Sequence, residues 1–244
     1  MVIYGINPVL EALRAGRVRR LRVGPRSDRR VDEAIALARA AHVTVERVDA
    51  QALDRAARGG VHQGLVAELA PLEDYSLQAI VAAAPAAPLI VVLDGVEDPH
   101  NVGAIIRTAD AAGVHGLVRQ ARRAAALDGA AAKASAGAFA HLRLATVVNI
   151  ARAIEELKDL GVWTVGLAGD AAEPYDRVDF TLPTALVFGA EGTGLRRLVR
   201  DRCDRLVSIP MQGAVSSLNV SVAAGVTLFE AVRQRRIQRA AAKI

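Results

Sequence analysis

The sequence predicts an α/β protein in two parts. A small α/β unit over residues 1–72 and a junction over 73–88 precede a larger domain over 89–244, built on a parallel sheet. Three observations predict this. Leu89-Ile90-Val91-Val92-Leu93 is an unbroken apolar run, the pattern of a strand covered on both faces of a parallel sheet. From there to the C-terminus, strand-like and helix-like segments alternate, as βα units do. Before it, Pro71 to Pro88 holds Asp74-Tyr75-Ser76, a short Ala-rich stretch, Pro85 and Pro88, which is the composition of a connection.

In the first part, Asn7-Pro8 opens a helix, with Asn7 as N-cap, Pro8 in the first turn, and Val9, Leu10 and Leu13 on the inner face. Leu21-Arg22-Val23 is a short strand. Asp28 to Ala41 has helical spacing, with Val31, Ile35 and Leu37-Ala38 inward. Val43-Thr44-Val45 alternates like a strand, Asp49 caps a further short helix, Gly59 to Gly64 turns, and Leu65-Val66-Ala67 resumes extended structure. In the second part, helices are expected over Val102–Ala112, Ile150–Leu160, Leu195–Arg200 and Ser217–Arg236. Strands are expected at Gly116–Val118, Val162–Leu167, Ala185–Phe188 and Leu206–Ile209. The Ala-rich segment Ala121–Ala138 reads as a loop plus a short helix, and no internal repeat is visible.

Composition narrows the function classes. Of 244 residues, 52% are hydrophobic and only 3% aromatic, so the core rests on Ala, Val, Leu and Ile. No apolar run reaches membrane-span length, and the start lacks the basic-then-apolar pattern of a secretory signal. Cys203 is the only cysteine, which rules out an internal disulfide or a multi-cysteine metal site and fits a reducing cytoplasm. The histidines, 42, 62, 100, 115 and 141, lack metal-ligand spacing, so no metal is expected. The net charge of +5 suits a polyanionic partner such as nucleic acid. A preference for Arg over Lys is equally what a GC-rich genome encodes, so charge alone does not establish that partner.

Ligands in open α/β sheets gather at the carboxyl ends of strands. Three such ends carry polar residues that packing does not require. The first, Asp94 to Thr108, holds Asn101 at an expected helix start and Arg107 six residues on, off the same helical face. The second, Phe188-Gly189-Ala190-Glu191-Gly192-Thr193-Gly194, is a glycine-rich strand-to-helix turn with an acid that no turn requires; it matches neither the dinucleotide nor the phosphate-loop fingerprint. In the third, Ile209-Pro210-Met211 is followed by Ser217-Leu218-Asn219-Val220-Ser221, where Ser217 is the candidate cap and Asn219 falls in the first turn.

In order and spacing, these three segments resemble the three motifs of the SpoU branch of the SPOUT RNA 2′-O-methyltransferases, over about Leu89 to Glu230. The front segment, Ile3 to Leu13, and Lys133-Ala134-Ser135-Ala136-Gly137-Ala138 are similar to the bacterial 23S rRNA guanosine-2′-O-methyltransferases of that branch. The resemblance implies a C-terminal trefoil knot, a front domain similar to certain ribosomal proteins, and a homodimer. It implies S-adenosylmethionine as cofactor, held against Gly189, Ile209, Met211 and Leu218. It gives catalysis to Asn101, Arg107, Glu191, Ser217 and Asn219, with no metal. The front unit would then choose the RNA, 23S rRNA or a large-subunit assembly intermediate, through Arg14, Arg17, Arg19, Arg20, Arg22 and Arg58. Alternative substrates within the branch are a tRNA guanosine or, as in antibiotic resistance, an rRNA adenosine. Outside it, a non-catalytic RNA-binding protein leaves the three polar strand ends unexplained, and a nicotinamide- or nucleotide-dependent enzyme on a doubly wound sheet lacks its fingerprints.

Overall fold

The computed structural model describes residues 1–25, 28–122, 124–127 and 129–242. Two compact units emerge. The first comprises Met1–Leu72 with Pro99–Arg107 and Ala125–His141; the second comprises Glu73–Asp98, Thr108–Ala124 and Leu142–Ile244.

The first unit begins β1 (Val2–Tyr4), α1 (Ile6–Arg14), β2 (Val18–Val23), α2 (Arg29–Ala40), β3 (Thr44–Arg47), α3 (Ala50–Ala56) and β4 (Leu65–Leu69). The sheet order is β1-β4-β2-β3, with β2 and β3 parallel and the other pairs antiparallel. Helices α1 and α2 bury Val9, Leu10, Leu13, Val31, Ile35 and Ala38, the positions their periodicity assigns to the core. Asp28 caps α2 by accepting from the amides of Arg30 (3.0 Å) and Val31 (3.1 Å), and Asp49 caps α3 through Ala52 (2.7 Å).

The start of α1 differs from expectation. Its N-cap is Gly5, at φ 95°, and Asn7 lies inside the helix, accepting from Arg30. The reason is the sheet. Gly5 N bonds Leu65 O (3.1 Å) and the Ile6 amide bonds the Gln63 Oε1 (3.2 Å), so a distant glutamine does the work of a local cap. Strand β1 escaped the sequence reading because it is three residues long and merges with the helix signal.

The remaining elements are α4 (Leu77–Ala82), β5 (Leu89–Asp94), α5 (Pro99–Ala111), β6 (Gly116–Gln120), α6 (Gly129–Ala134), β7 (Leu144–Val147), α7 (Ile150–Asp159), β8 (Trp163–Leu167), β9 (Glu173–Pro174), β10 (Thr184–Gly189), α8 (Arg197–Arg202), β11 (Arg205–Ser208) and α9 (Val220–Ala241). The start of α5 and all of α6 belong to the first unit. In the second unit a seven-stranded, wholly parallel sheet runs β7-β6-β5-β10-β8-β11-β9. Its central strands β5 and β10 are buried at every position, which is why their sequences do not alternate. Helix α7 lays Ile150, Ile154 and Leu157 against Ile90, Val92, Val118 and Val187. Each such side chain contributes about 1.5–3 kcal/mol by leaving water.

Several boundaries shift. Helix α5 starts at Pro99, before Val102, and α8 starts at Arg197, after Leu195. Helix α9 starts at Val220 rather than Ser217. The short strands β7 and β9 carried no sequence signal of their own. Within Ala121–Ala138 the helix is α6; Arg123 and Asp128 lie outside the described residues. The strand order matters most for function. The chain runs outward from β5 to β7, returns at β8, and only then fills the gap with β10. The carboxyl ends of β10, β8 and β11 therefore open side by side, as at a topological switch point.

Candidate functional site

A cavity of about 580 Å³ lies at those strand ends, within the second unit. Its walls are the loops after β8, β10 and β11, the first turn of α9 and Arg200 of α8.

The loop after β10 is shaped by its glycines. Ala190 and Gly194 exchange two backbone hydrogen bonds (3.1 and 2.8 Å), so the chain doubles back on itself at once. A β-carbon on Gly189 would lie 2.1 Å from the Gly194 carbonyl carbon, a spacing only glycine permits. An ion pair between the buried Asp94 and the half-exposed Arg196 fixes the loop from below. Asp94, the last residue of β5 and 0% exposed, accepts from the Arg196 amide (2.9 Å) and Nε (2.7 Å). The sequence reading missed this pair; an acid closing an all-apolar strand was the available signal.

Glu191 and Asn219 meet over the cavity, the Asn219 Nδ2 donating to Glu191 Oε1 at 3.0 Å. The Asn219 Oδ1 accepts from the Ser221 amide (2.9 Å) and hydroxyl (2.6 Å). Asn219 is thus the N-cap of α9, correcting the assignment of that role to Ser217. One side chain both starts the helix and holds the acid, which accounts for an asparagine at a place where packing alone would not select one. Ser217, Gly189, Ile209, Met211 and Leu218 line the same cavity. Seven of the residues singled out from sequence therefore converge on one site.

Asn101 and Arg107 do not line it. Both ride on α5, where Asn101 is an interior helix residue, not a cap, and is buried, while Arg107 is exposed. Their separation by six positions puts them on different helix faces.

The cavity holds a second polar pair that the sequence did not suggest. Arg200 Nη1, on α8, donates to Asp170 Oδ1, in the loop after β8, at 2.8 Å. The Arg200 hydrogen bond holds the Asp170 carboxyl below the usual carboxylate range. Nearby on α8's far end, burial pushes the Cys203 thiol up to about 12, so it remains an inert thiol.

The arginines of the first unit divide into two kinds. Arg14 pairs with Glu11 and Glu33, Arg20 with Glu46 (3.6 Å), and Arg22 with Glu68 (2.6 Å), while Arg17 donates to the Pro71 carbonyl (3.1 Å). Arg19, at the irregularity between Val18 and Arg20, and Arg58, at φ 49°, are exposed. Among the described residues no group of three His, Cys, Asp or Glu side chains is placed to hold a metal ion, and no helix is long and apolar enough to cross a membrane.

The cavity fits a nucleoside-sized cofactor. Its volume lies in the range of small-molecule sites, Ile209 and Leu218 add apolar surface to its lining, and the doubled-back glycine loop forms one of its walls.

Known proteins agree with this geometry. The sequence profile described as SpoU rRNA Methylase family matches residues 88–229, and that described as RNA 2′-O ribose methyltransferase substrate binding matches residues 2–75. The chain is 46% identical to the 23S rRNA (guanosine-2′-O-)-methyltransferase RlmB of Yersinia pestis, covering 97% of this chain and 98% of that protein. It is 42% identical to the putative TrmH family tRNA/rRNA methyltransferase YacO of Bacillus subtilis, covering 96% and 95%. Among solved structures, the SpoU methyltransferase AviRb from Streptomyces viridochromogenes in complex with AdoMet superposes with a TM-score of 0.83 at 29% identity, over 97% of this chain and 90% of that one. The TrmH/SpoU tRNA modifying enzyme of A. aeolicus reaches 0.57 at 33% identity, over 62% of this chain and 77% of that one. The chain belongs to the SpoU rRNA methylase family.

Proposed function

We propose that this chain transfers a methyl group from S-adenosylmethionine to the ribose 2′-hydroxyl of a guanosine in 23S rRNA. The observation that carries the reading is near-complete alignment with RlmB proteins at 43–46% identity, front unit included. The tRNA-modifying structures cover only 61–62% of this chain, which favours ribosomal over transfer RNA.

Gly189, Ile209, Met211 and Leu218 hold the cofactor, with the adenine between the apolar walls. When bound, S-adenosylmethionine supplies a methyl group made electrophilic by its sulfonium. What the protein must add is alignment of the hydroxyl and a path for its proton. Arg107 positions the target. A guanidinium offers donors and no acceptor, so the proton passes to an acceptor beside it, an RNA phosphate oxygen. Ser217 and Asn219 hold the ribose, Glu191, tied to Asn219, orients it, and Asn101 supports Arg107 on α5. Arg14, Arg17, Arg19, Arg20, Arg22 and Arg58 contact RNA phosphates. The exposed ion pairs of Arg14 and Arg20 are each worth about 0–1 kcal/mol, little enough for a phosphate to compete with the carboxylate.

The same reading assigns a division into 1–72, 73–88 and 89–244, a knotted C-terminal segment, a homodimer, no metal and a place in the cytoplasm. Steady-state transfer from labelled cofactor to unmodified large-subunit RNA tests the catalytic assignment. Arg107→Lys is expected to lower kcat at least a hundredfold with cofactor affinity unchanged; full turnover by this variant would overturn the role of Arg107.

A further inference from the structure

The cavity is lined by three charged side chains, Asp170, Glu191 and Arg200. Glu191 is engaged with Asn219, the pair assigned above to the target ribose. Asp170 and Arg200 form a separate pair, on the loop after β8 and on α8, and nothing in the proposed methyl transfer uses them. An ion pair whose side chains are 70% and 36% exposed contributes little to folding, so stability does not explain its place in a ligand cavity.

We propose that Asp170 is the acceptor for the 2′,3′-diol of the cofactor's own ribose, and that Arg200 is a positioning residue that fixes its carboxylate. The inference rests on the reading of this cavity as the S-adenosylmethionine site. Besides the sulfonium, committed to the transferred methyl, and the adenine, assigned to the apolar walls of Ile209 and Leu218, the polar groups of that cofactor are the diol, the ammonium and the carboxylate. The ammonium set against Asp170 would face the Arg200 guanidinium, and the carboxylate set against Arg200 would face Asp170, each a like-charge contact. A neutral diol meets neither penalty. It can donate to Asp170 while Arg200 keeps its bond, because a carboxylate accepts several hydrogen bonds. The placement agrees. With the methyl assigned to the Glu191–Asn219 pair, on the loop after β10 and on α9, the nucleoside arm of the cofactor is assigned to the Asp170–Arg200 pair of the same cavity. Recognition of a ribose diol by an acid is the solution that dinucleotide-binding sheets reach at the same kind of strand end.

Calorimetric titration of the full chain with S-adenosylhomocysteine and with its 2′-deoxy and 3′-deoxy analogues tests this. The intact protein is expected to bind at least one deoxy analogue about tenfold more weakly. Asp170→Ala is expected to bind S-adenosylhomocysteine about tenfold more weakly and to lose the discrimination. Arg200→Met is expected to lose part of the discrimination and Arg200→Lys to retain it. Unchanged discrimination in Asp170→Ala would overturn the proposal, as would equal affinity of the intact protein for all three compounds. Absence of any binding by the intact protein would instead overturn the reading of the cavity as a cofactor site. Asp170 is exposed enough that its variant keeps the fold, which the thermal midpoint of the same sample checks.

Discussion

Asn219 shows how one residue joins folding to chemistry. Its Oδ1 caps α9 and its Nδ2 holds Glu191. The two functions separate in Asn219→Asp. A carboxylate caps as well as an amide, so the thermal midpoint should change little, whereas Asn219→Ala should cost about 1 kcal/mol. Asp has no donor for Glu191 and adds a like charge, so methyl transfer by Asn219→Asp should fall at least tenfold. Equal losses of stability and activity in both variants would contradict this division. The choice of Asn219 as a residue of interest was legible in the sequence because a polar group interrupts an apolar stretch there. Its capping role was not, because Ser217 has the same local credentials and only the helix start at Val220 decides between them. Asp170 was illegible for a related reason. Its meaning depends on Arg200, thirty residues away, and ion pairs at that separation leave no periodic trace.

At the scale of elements, strands β5 and β10 were read correctly because burial on both faces produces continuous apolar runs. The strands β1 and β9 have two or three residues, too short for any period to register, and β7, with two buried positions followed by two half-buried ones, does not alternate. The order β5-β10-β8 was equally hidden, since adjacency in a sheet is not adjacency in sequence. What locks that order near the cavity is the Asp94–Arg196 pair, joining the end of β5 to the segment after β10. Arg196→Ala takes the half-exposed guanidinium away from a fully buried carboxylate, and should destabilise the chain by about 1–3 kcal/mol. Urea denaturation measures it. A loss below about 1 kcal/mol would show that the backbone amide of Arg196 alone satisfies Asp94.

At the scale of the whole molecule, the proposed function gives the cofactor to the cavity of the second unit and RNA selection to the first. Its arginines should not contribute equally. Arg22 is held by Glu68 and partly buried, while Arg19 and Arg58 are exposed. Removing Arg58 should therefore lower RNA affinity at all sites and reduce the salt slope by about 1, while Arg22→Ala should change the slope less. A salt slope in the Arg58 variant equal to that of the intact protein would remove Arg58 from the RNA face. The central claim remains the identity of the methylated atom. Labelled methyl transfer from S-adenosylmethionine to unmodified large-subunit RNA, followed by complete digestion to nucleosides, tests it most directly. The account predicts that the label appears as 2′-O-methylguanosine at a single site. Label on a base, or label accepted only by transfer RNA, would contradict it.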